Sequence, residues 1–179
     1  MIKNKLIFNA KKTDDYLRSF LKKQKQTDLL NVMKYSTLSG GKKIRSSIII
    51  NMGKLFNLNF TKILNLCGAV ECIHSYSLIH DDLPCMDNDK IRRGKPSTHV
   101  KFGESTAILA GNSLLTLAFE MITDKNYLIS DESKIELVKS LSLCAGHTGI
   151  AGGQHLDLSF ENKKKKFKTD YKYAKKKPV

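Results

Sequence analysis

Apolar residues recur at three-and-four spacing along almost the whole of this 179-residue chain, which is typical of α-helices with one buried face. Only three prolines occur, and no stretch alternates apolar and polar residues in the manner of a strand. The sequence therefore predicts an all-α fold of long antiparallel helices. The predicted helical segments are 10–24, 43–56, 61–80, 104–123 and 132–146.

The positive charge of the chain is concentrated in one segment. The net formal charge is +14, and residues 161–179 hold nine lysines against two acidic residues. This segment has neither apolar periodicity nor a recognisable nucleic-acid-binding module. We therefore predict one helical domain over 1–160, a lysine-rich, disordered tail over 161–179, and no nucleic-acid partner. Binding of RNA or an anionic membrane through the tail stays open as an alternative.

Membrane insertion and secretion are not indicated. The most apolar stretch, about 107–122, is interrupted by polar residues such as Asn112 and Glu120, which is typical of a core helix. The N-terminus lacks an apolar run followed by a small-residue cleavage site, so we expect a cytoplasmic location.

The four cysteines form no Cys-x-x-Cys pair and lie mostly in apolar helical segments. They are predicted to be buried free thiols.

Three aspartates are crowded into residues 81–87. Like charges at this spacing repel one another unless a cation neutralises them, and oxygen-only ligands favour Mg²⁺ or Mn²⁺. A bend at Pro84 would bring Asp81 and Asp87 to one ion. The pair Arg92-Arg93 adds the positive charge that suits a metal-bound polyphosphate. The segment predicts a metal-dependent diphosphate site, with a solvent-facing acidic loop as the alternative.

A second basic motif is Gly40-Gly41-Lys42-Lys43-Ile44-Arg45. Paired glycines let the backbone approach an anion closely, and Lys42 and Arg45 can hold that anion from the opening turn of a helix. The motif is neither a P-loop nor a dinucleotide-binding fingerprint. It predicts a phosphate site that uses basic residues only. His74 lies on the same helical face as Asp81, which makes it a candidate site residue. The alternative is a structural role in the core.

Together these motifs resemble those of the trans-polyprenyl diphosphate synthases, and within that family the bacterial members that make farnesyl diphosphate. The resemblance runs from about residue 30 to 162 and implies the N-terminal part of an isoprenoid-synthase-type helical bundle. It also implies condensation of dimethylallyl or geranyl diphosphate with isopentenyl diphosphate, and a homodimeric enzyme. The matching segments are 40–45, 71–87, 92–94, 99–104, 107–111 and 152–154.

The resemblance assigns roles to individual residues. Asp81 and Asp87 would bind Mg²⁺ with support from Asp82, and Arg92 would bind the allylic diphosphate. The residues implied for isopentenyl diphosphate are Lys42, Arg45, His74 and Arg93.

Four further positions follow from the same resemblance. Gln154, with Asp157 after it, matches a helix segment near the family's cavity. Tyr76 and Ser77 lie shortly before the first aspartate, where the family sets product length. A large side chain there implies a farnesyl product, with geranylgeranyl diphosphate as the alternative.

The sequence also departs from the family pattern. Asn112 stands where the family usually has an aspartate. The family's second aspartate-rich helix and its Lys-Thr pair are not found after Asp157. The lysine runs at 163–166 and 175–177 imply adenine-rich codons, and we interpret this segment as the product of a frameshift. A C-terminally truncated chain with a half-built cavity is expected to be inactive alone, and a non-catalytic subunit of a heteromeric synthase is the alternative.

Overall fold

The computed structural model describes residues 2–161, and the side chains of residues 3–160. The chain divides into two compact units, Met1–Ile129 and Ser130–Val179, and each is described by itself. Helices dominate the described residues, which confirms the all-α prediction. In chain order the elements are α1 (Ile2–Lys23), α2 (Asp28–Thr37), α3 (Ile44–Leu55), α4 (Phe60–Asp81), β1 (Ile91–Arg92), β2 (Lys95–Pro96), α5 (Thr98–Phe102), α6 (Glu104–Thr123), α7 (Asp131–Ala145) and α8 (Ile150–Glu161).

Polar side chains cap several of these helices. Thr27 accepts a hydrogen bond from the Leu30 amide at the start of α2, at 3.1 Å. Asn59 accepts one from the Thr61 amide at the start of α4, at 3.0 Å. Ser130 does the same at α7, which begins at Asp131, one residue before the predicted segment. Each cap satisfies a backbone N–H that has no partner within its helix.

The core of the first unit is the contact between α4 and α6. The face of α6 that meets α4 includes Ala107, Ala110 and Leu114, all fully buried. A Cβ built on Gly68 of α4 would lie 2.4 Å from Met121 Cε of α6, so the glycine permits the close approach of the two helices. By length and composition, α6 is also the one described helix that could span a membrane. Its buried face agrees with the predicted core helix.

Several elements differ from the sequence prediction. The first helix begins at Ile2 rather than near residue 10, and α2 and α5 were not predicted. Helix α8 agrees with the helix segment that the resemblance implied around Gln154. The connection between α4 and α5, where no strand was predicted, contains the short antiparallel hairpin β1–β2. This hairpin has only two residues in each strand, too few for a recognisable alternation.

The cysteine prediction is only half right. Cys67 and Cys72 are fully buried, and burial raises the pKa of each thiol to about 12. Cys85 and Cys144, by contrast, are exposed. Cys85 lies in the loop that follows α4, and Cys144 lies on an outward position of α7, so neither position is covered by packing.

The second unit, as far as it is described, is the helix pair α7 and α8. Gly146 ends α7, as the sequence predicts, and its amide donates to the Ser142 carbonyl at 3.0 Å. A short turn follows, in which the Gly149 amide donates to the Gly146 carbonyl at 2.9 Å. The predicted tail falls almost entirely outside the described residues, so the boundary between 160 and 161 stays a prediction.

Candidate functional site

The acidic loop folds back on the end of α4. The Asp87 amide donates a hydrogen bond to the Asp81 carbonyl at 2.9 Å, so the two aspartates are joined across the turn that contains Pro84. Asp81 is half-buried at the C-terminus of the helix, and Asp87 is exposed. The partial negative charge of a helix C-terminus adds to that of the two carboxylates. This corner of the molecule therefore attracts a cation.

The carboxylate of Asp82 is buried against an arginine. The residue is 2% exposed, and its carboxylate accepts hydrogen bonds from Arg92 Nε at 2.9 and 3.3 Å and a further contact from Arg92 Nη2. Burial raises the pKa of the Asp82 carboxyl, and the guanidinium opposes that rise. The pKa of Arg92 is raised as well, chiefly by its hydrogen bond to Asp82. With two-point contact between them, both groups are charged at neutral pH.

Asp82 thus holds Arg92 beside the metal-attracting corner. Arg92 Nη2 also donates to Asp89 Oδ2 at 3.0 Å. Neither contact with an acidic partner was predicted for this arginine. The effect is to fix the orientation of the Arg92 side chain before any ligand arrives.

The hairpin β1–β2 positions both arginines. Arg93 and Gly94 form its two-residue loop, and both have positive φ, the pattern of a type I′ turn. Helix α2 holds the hairpin: Tyr35 Oη donates to the Pro96 carbonyl at 2.8 Å, and the Ser36 and Thr98 hydroxyls lie 3.0 Å apart. A helix that the sequence did not predict therefore aligns predicted site residues.

The glycine loop lies against Arg93. Gly40 and Gly41 have φ of +87° and +107°, and Arg93 Nη1 donates to the Gly40 carbonyl. A Cβ built on Gly41 would come within 2.7 Å of Arg93 Cζ. Only glycine permits this backbone conformation together with this contact. The paired glycines thus leave room for the Arg93 guanidinium to pack against the backbone of the loop.

Arg45 and His74 complete the basic cluster. Arg45 Nη1 lies 3.3 Å from His74 Nε2. Burial, and next the positive charge of Arg45, lowers the pKa of His74 to about 4. The imidazole is therefore neutral at pH 7, and one of its nitrogens can donate a hydrogen bond while the arginines supply the charge.

No role was predicted for Lys43, the other lysine of this loop. It is 4% exposed, and its ammonium lies 3.5 Å from both Asp14 Oδ1 and Glu71 Oε2. Its neighbour Lys42 is exposed. A buried lysine is rare unless it is paired, so the sequence motif alone gives no sign that the two lysines point to different sides.

The candidate product-length residues lie below Asp81 on α4. Tyr76 is half-buried, and its ring packs edge-to-face on His80 with centroids 4.8 Å apart. His80 Nε2 in turn lies 3.3 Å from the Ile108 carbonyl of α6. Ser77 is 8% exposed, and its hydroxyl donates to the His74 carbonyl at 3.0 Å. The ring of Tyr76 thus packs on a histidine of its own helix, and that histidine also contacts α6.

The first unit therefore brings most of the predicted site residues to one end of α4. The two of them that lie elsewhere, Gln154 and Asp157, are on α8 of the second unit. A small cleft of about 30 Å³ lies beside Asp82 and Arg92. Its lining includes Ser39, Ser75, Asp82, Arg92 and Arg93.

The acidic corner fits a Mg²⁺ ion that takes only two carboxylate ligands from the protein. No described group of three or more His, Cys, Asp or Glu side chains is arranged to hold a metal ion. Asp82, the third carboxylate, is engaged by Arg92. Mg²⁺ commonly uses one or two protein carboxylates and fills its remaining positions with water and phosphate oxygens. Asp81 and Asp87 match that arrangement better than an all-protein cage.

Comparison with known proteins identifies the family of the chain. The family model described as polyprenyl synthetase matches residues 26–177. The chain belongs to the polyprenyl synthetase family. The farnesyl diphosphate synthase of Buchnera aphidicola (subspecies Acyrthosiphon pisum) is 49% identical over 139 residues, which cover 77% of this chain and 49% of the relative. The farnesyl diphosphate synthase of Escherichia coli K12 is 46% identical, with 76% of this chain and 46% of the relative covered.

The chain is also similar to polyprenyl synthetases that are named for other products. The chloroplastic geranylgeranyl pyrophosphate synthase of Catharanthus roseus is 45% identical, with 72% of this chain and 36% of the relative covered. Among solved structures, an FPP/GFPP synthase from Zymomonas mobilis is 35% identical with a TM-score of 0.86, covering 93% of this chain and 62% of that one. This polyprenyl synthetase chain spans about half the length of the curated farnesyl diphosphate synthases it matches.

Proposed function

We propose that this chain supplies the diphosphate-binding part of a site for trans prenyl transfer. In the complete reaction dimethylallyl diphosphate condenses with isopentenyl diphosphate to give geranyl diphosphate, and geranyl diphosphate condenses with a second isopentenyl diphosphate to give farnesyl diphosphate. Both condensations follow the same chemistry. The carbon–oxygen bond of the allylic substrate breaks, a carbon–carbon bond forms, and a proton and inorganic diphosphate are released. The observation that carries the proposal is the pairing of a carboxylate corner with a separate basic cluster at one end of α4.

Asp81 and Asp87 are proposed to hold Mg²⁺ at the first site, with the allylic diphosphate completing the coordination. The bound ion would supply the positive charge that stabilises the departing diphosphate. Arg92 is proposed to donate to the same diphosphate, and Asp82 keeps its guanidinium in place. In this proposal two of the three aspartates bind the metal ion, and the third orients Arg92.

Lys42, Arg45, His74 and Arg93 are proposed to hold isopentenyl diphosphate at the second site. The contacts within this cluster support the proposal, since Arg45 lies against His74 and Arg93 donates to the glycine loop that precedes Lys42. Fixing the two substrates side by side would lower the entropic cost of bringing their carbons together. Gln154 is proposed as a further substrate-binding residue on the strength of the resemblance alone.

Tyr76 and Ser77 are proposed to favour a farnesyl product. The geranylgeranyl alternative is kept because synthases with that product name match almost as well. Binding can separate the two: the chain should bind a ten-carbon allylic thiolodiphosphate more tightly than the fifteen-carbon one. Tyr76→Ala should remove that preference, whereas an unchanged preference would assign Tyr76 to packing only.

We also propose a homodimer and a cytoplasmic location for the protein. Ile108 and Leu109 on α6 support an association surface, as they are 40% and 55% exposed beside the buried face. Sedimentation velocity tests this: Ile108→Glu/Leu109→Glu should shift a dimer to monomer. A wild-type chain that sediments as a monomer at high concentration would contradict it.

The metal-dependent site is tested by calorimetric titration with geranyl S-thiolodiphosphate, an unreactive allylic analogue. We expect binding in Mg²⁺ and none in EDTA. Asp81→Asn and Asp87→Asn should each weaken binding by about tenfold or more, the scale of one charged ligand. Asp15→Asn, an exposed aspartate of α1, is the matched control. Equal affinity with and without Mg²⁺ would refute the proposed metal role.

A further inference from the structure

Lys43 occupies an unusual place in the fold. It immediately precedes α3, has φ of 45° and ψ of 50°, and its side chain is 1% exposed. The residues on either side, Lys42 and Ile44, are both exposed. The left-handed conformation therefore turns one lysine of the loop into the interior while its neighbours stay at the surface.

Three acceptors hold the Lys43 ammonium. It donates to the Thr37 carbonyl, at the end of α2, at 2.9 Å. It also lies 3.5 Å from Asp14 of α1 and 3.5 Å from Glu71 of α4. One side chain thus joins the glycine loop to three helices.

Glu71 extends this network to the proposed second site. Its carboxylate accepts from Ser46 Oγ at 2.7 Å and from the Ser46 amide at 3.4 Å. Ser46 directly follows Arg45, and Glu71 lies one helical turn before His74 on α4. The buried pair therefore fixes the two backbone segments that carry Arg45 and His74.

We propose that Lys43 and Glu71 are positioning residues for the second anion site. By holding the loop to α2 and α4, they set the distance between Arg45 and His74 and direct Lys42 outwards. The inference rests on the function proposed for that site. Neither residue contacts the ligand; each acts through its neighbours.

A purely structural role predicts a different outcome, and a paired substitution separates the two. Lys43→Met alone leaves Glu71 buried without its partner, so a loss of stability is expected for either role. Lys43→Met/Glu71→Gln removes both charges with little change of volume. If the pair only balanced charge, this double variant would recover both stability and binding.

The experiment compares the variants by denaturant unfolding, by titration with isopentenyl diphosphate in EDTA, and by the amide NMR peaks of Gly40 and Gly41. We expect the double variant to regain most of the lost stability and still bind isopentenyl diphosphate at least tenfold more weakly. Its Mg²⁺-dependent affinity for geranyl S-thiolodiphosphate should stay within twofold of wild type. Lys54→Met, an exposed lysine of α3, is the matched control.

Wild-type affinity together with unshifted Gly40 and Gly41 peaks in the double variant would overturn the inference. If the wild-type chain itself fails to bind isopentenyl diphosphate, the proposed second site is wrong. In that case the NMR peaks alone decide the positioning role, shifted peaks supporting it and unshifted peaks refuting it. Should the double variant fail to fold, Glu71→Gln, which leaves Lys43 bound to Asp14 and Thr37, is judged by the same readouts.

Discussion

Gly41 combines two constraints that a side chain would violate together. Its φ is +107°, and the space where a Cβ would stand is filled by the guanidinium of Arg93. Gly40 shares the first constraint, with φ of +87°, but has nothing within 4 Å of a built Cβ. The two glycines therefore allow backbone strain and displacement of the arginine to be measured separately.

Gly41→Ala should weaken binding of isopentenyl diphosphate about tenfold, because it displaces a charged donor as well as straining the loop. Gly40→Ala should lose a similar amount of stability to its positive φ and keep its affinity within about twofold, less than a lost hydrogen bond costs. Calorimetric titration and denaturant unfolding of both variants check this. Equal losses of affinity would show that Arg93 is not the link.

His74 gives the protein a defined response to acid. Its pKa falls from 6.5 to about 4 in the folded chain, first through burial and then through Arg45. Between these values the unfolded state binds more protons than the folded state, so stability falls as the pH falls from 6.5 to 4. Above pH 6.5 this contribution is fully present.

The pH dependence is tested by the difference in unfolding free energy between wild type and His74→Gln. That difference should be constant above about pH 7 and change progressively down to about pH 4, since the unfolded histidine titrates near 6.5. Taking the difference cancels the carboxylates that titrate in the same range. Parallel curves for the two proteins would show that His74 keeps an ordinary pKa.

At the residue scale, the sequence predicted which charged residues lie close together better than it predicted the orientation of their side chains. The clustering of like charges indicated a cation site, and the Asp87–Asp81 hydrogen bond agrees with the expected bend. That Asp82 faces Arg92 instead, and that Lys43 turns inward, could not be read from spacing. Both depend on partners from distant segments, such as Asp14 on α1 and the hairpin that carries Arg92.

Among the elements, the packing of α4 on α6 carries the core beneath the site. Gly68 of α4 lies against Met121 of α6, and Leu114 of α6 is fully buried. Leu109, on the same helix, is 55% exposed. One helix thus offers a buried leucine and an exposed one for comparison.

Leu114→Ala should lower the free energy of unfolding by about 2–5 kcal/mol, the range for a leucine removed from a packed core. Leu109→Ala should change it by about 0.5 kcal/mol or less, as surface substitutions usually do. Denaturant unfolding of the purified chain measures both. Equal effects would mean that α6 does not pack on α4 through the Leu114 face.

Long helices were predictable at this scale because their apolar periodicity continues over several turns. The short elements were not: α2 has ten residues, and each strand of the hairpin has two. They are held by tertiary contacts, including the Tyr35–Pro96 hydrogen bond, rather than by local pattern. These are also the elements that orient Arg92 and Arg93, so the sequence prediction was weakest where positioning matters.

At the scale of the whole molecule, the first unit carries two groups of charged residues that both involve α4. One corner carries carboxylates and one cluster carries basic residues, and α4 supports both. The chain also exposes an apolar row on α3, with Ile44, Ile48, Met52 and Leu55 between 49% and 74% exposed. These residues share one helical face, and such a row is more typical of a surface covered by another segment than of a free one.

The central claim is that the two diphosphates occupy separate sites with different metal requirements. Titrating isopentenyl diphosphate into the chain saturated with geranyl S-thiolodiphosphate and Mg²⁺ tests it most directly. The account predicts that both ligands bind at once, one of each per chain, and that EDTA removes only the allylic analogue. Competition between the two ligands for one site, or loss of both in EDTA, would contradict it.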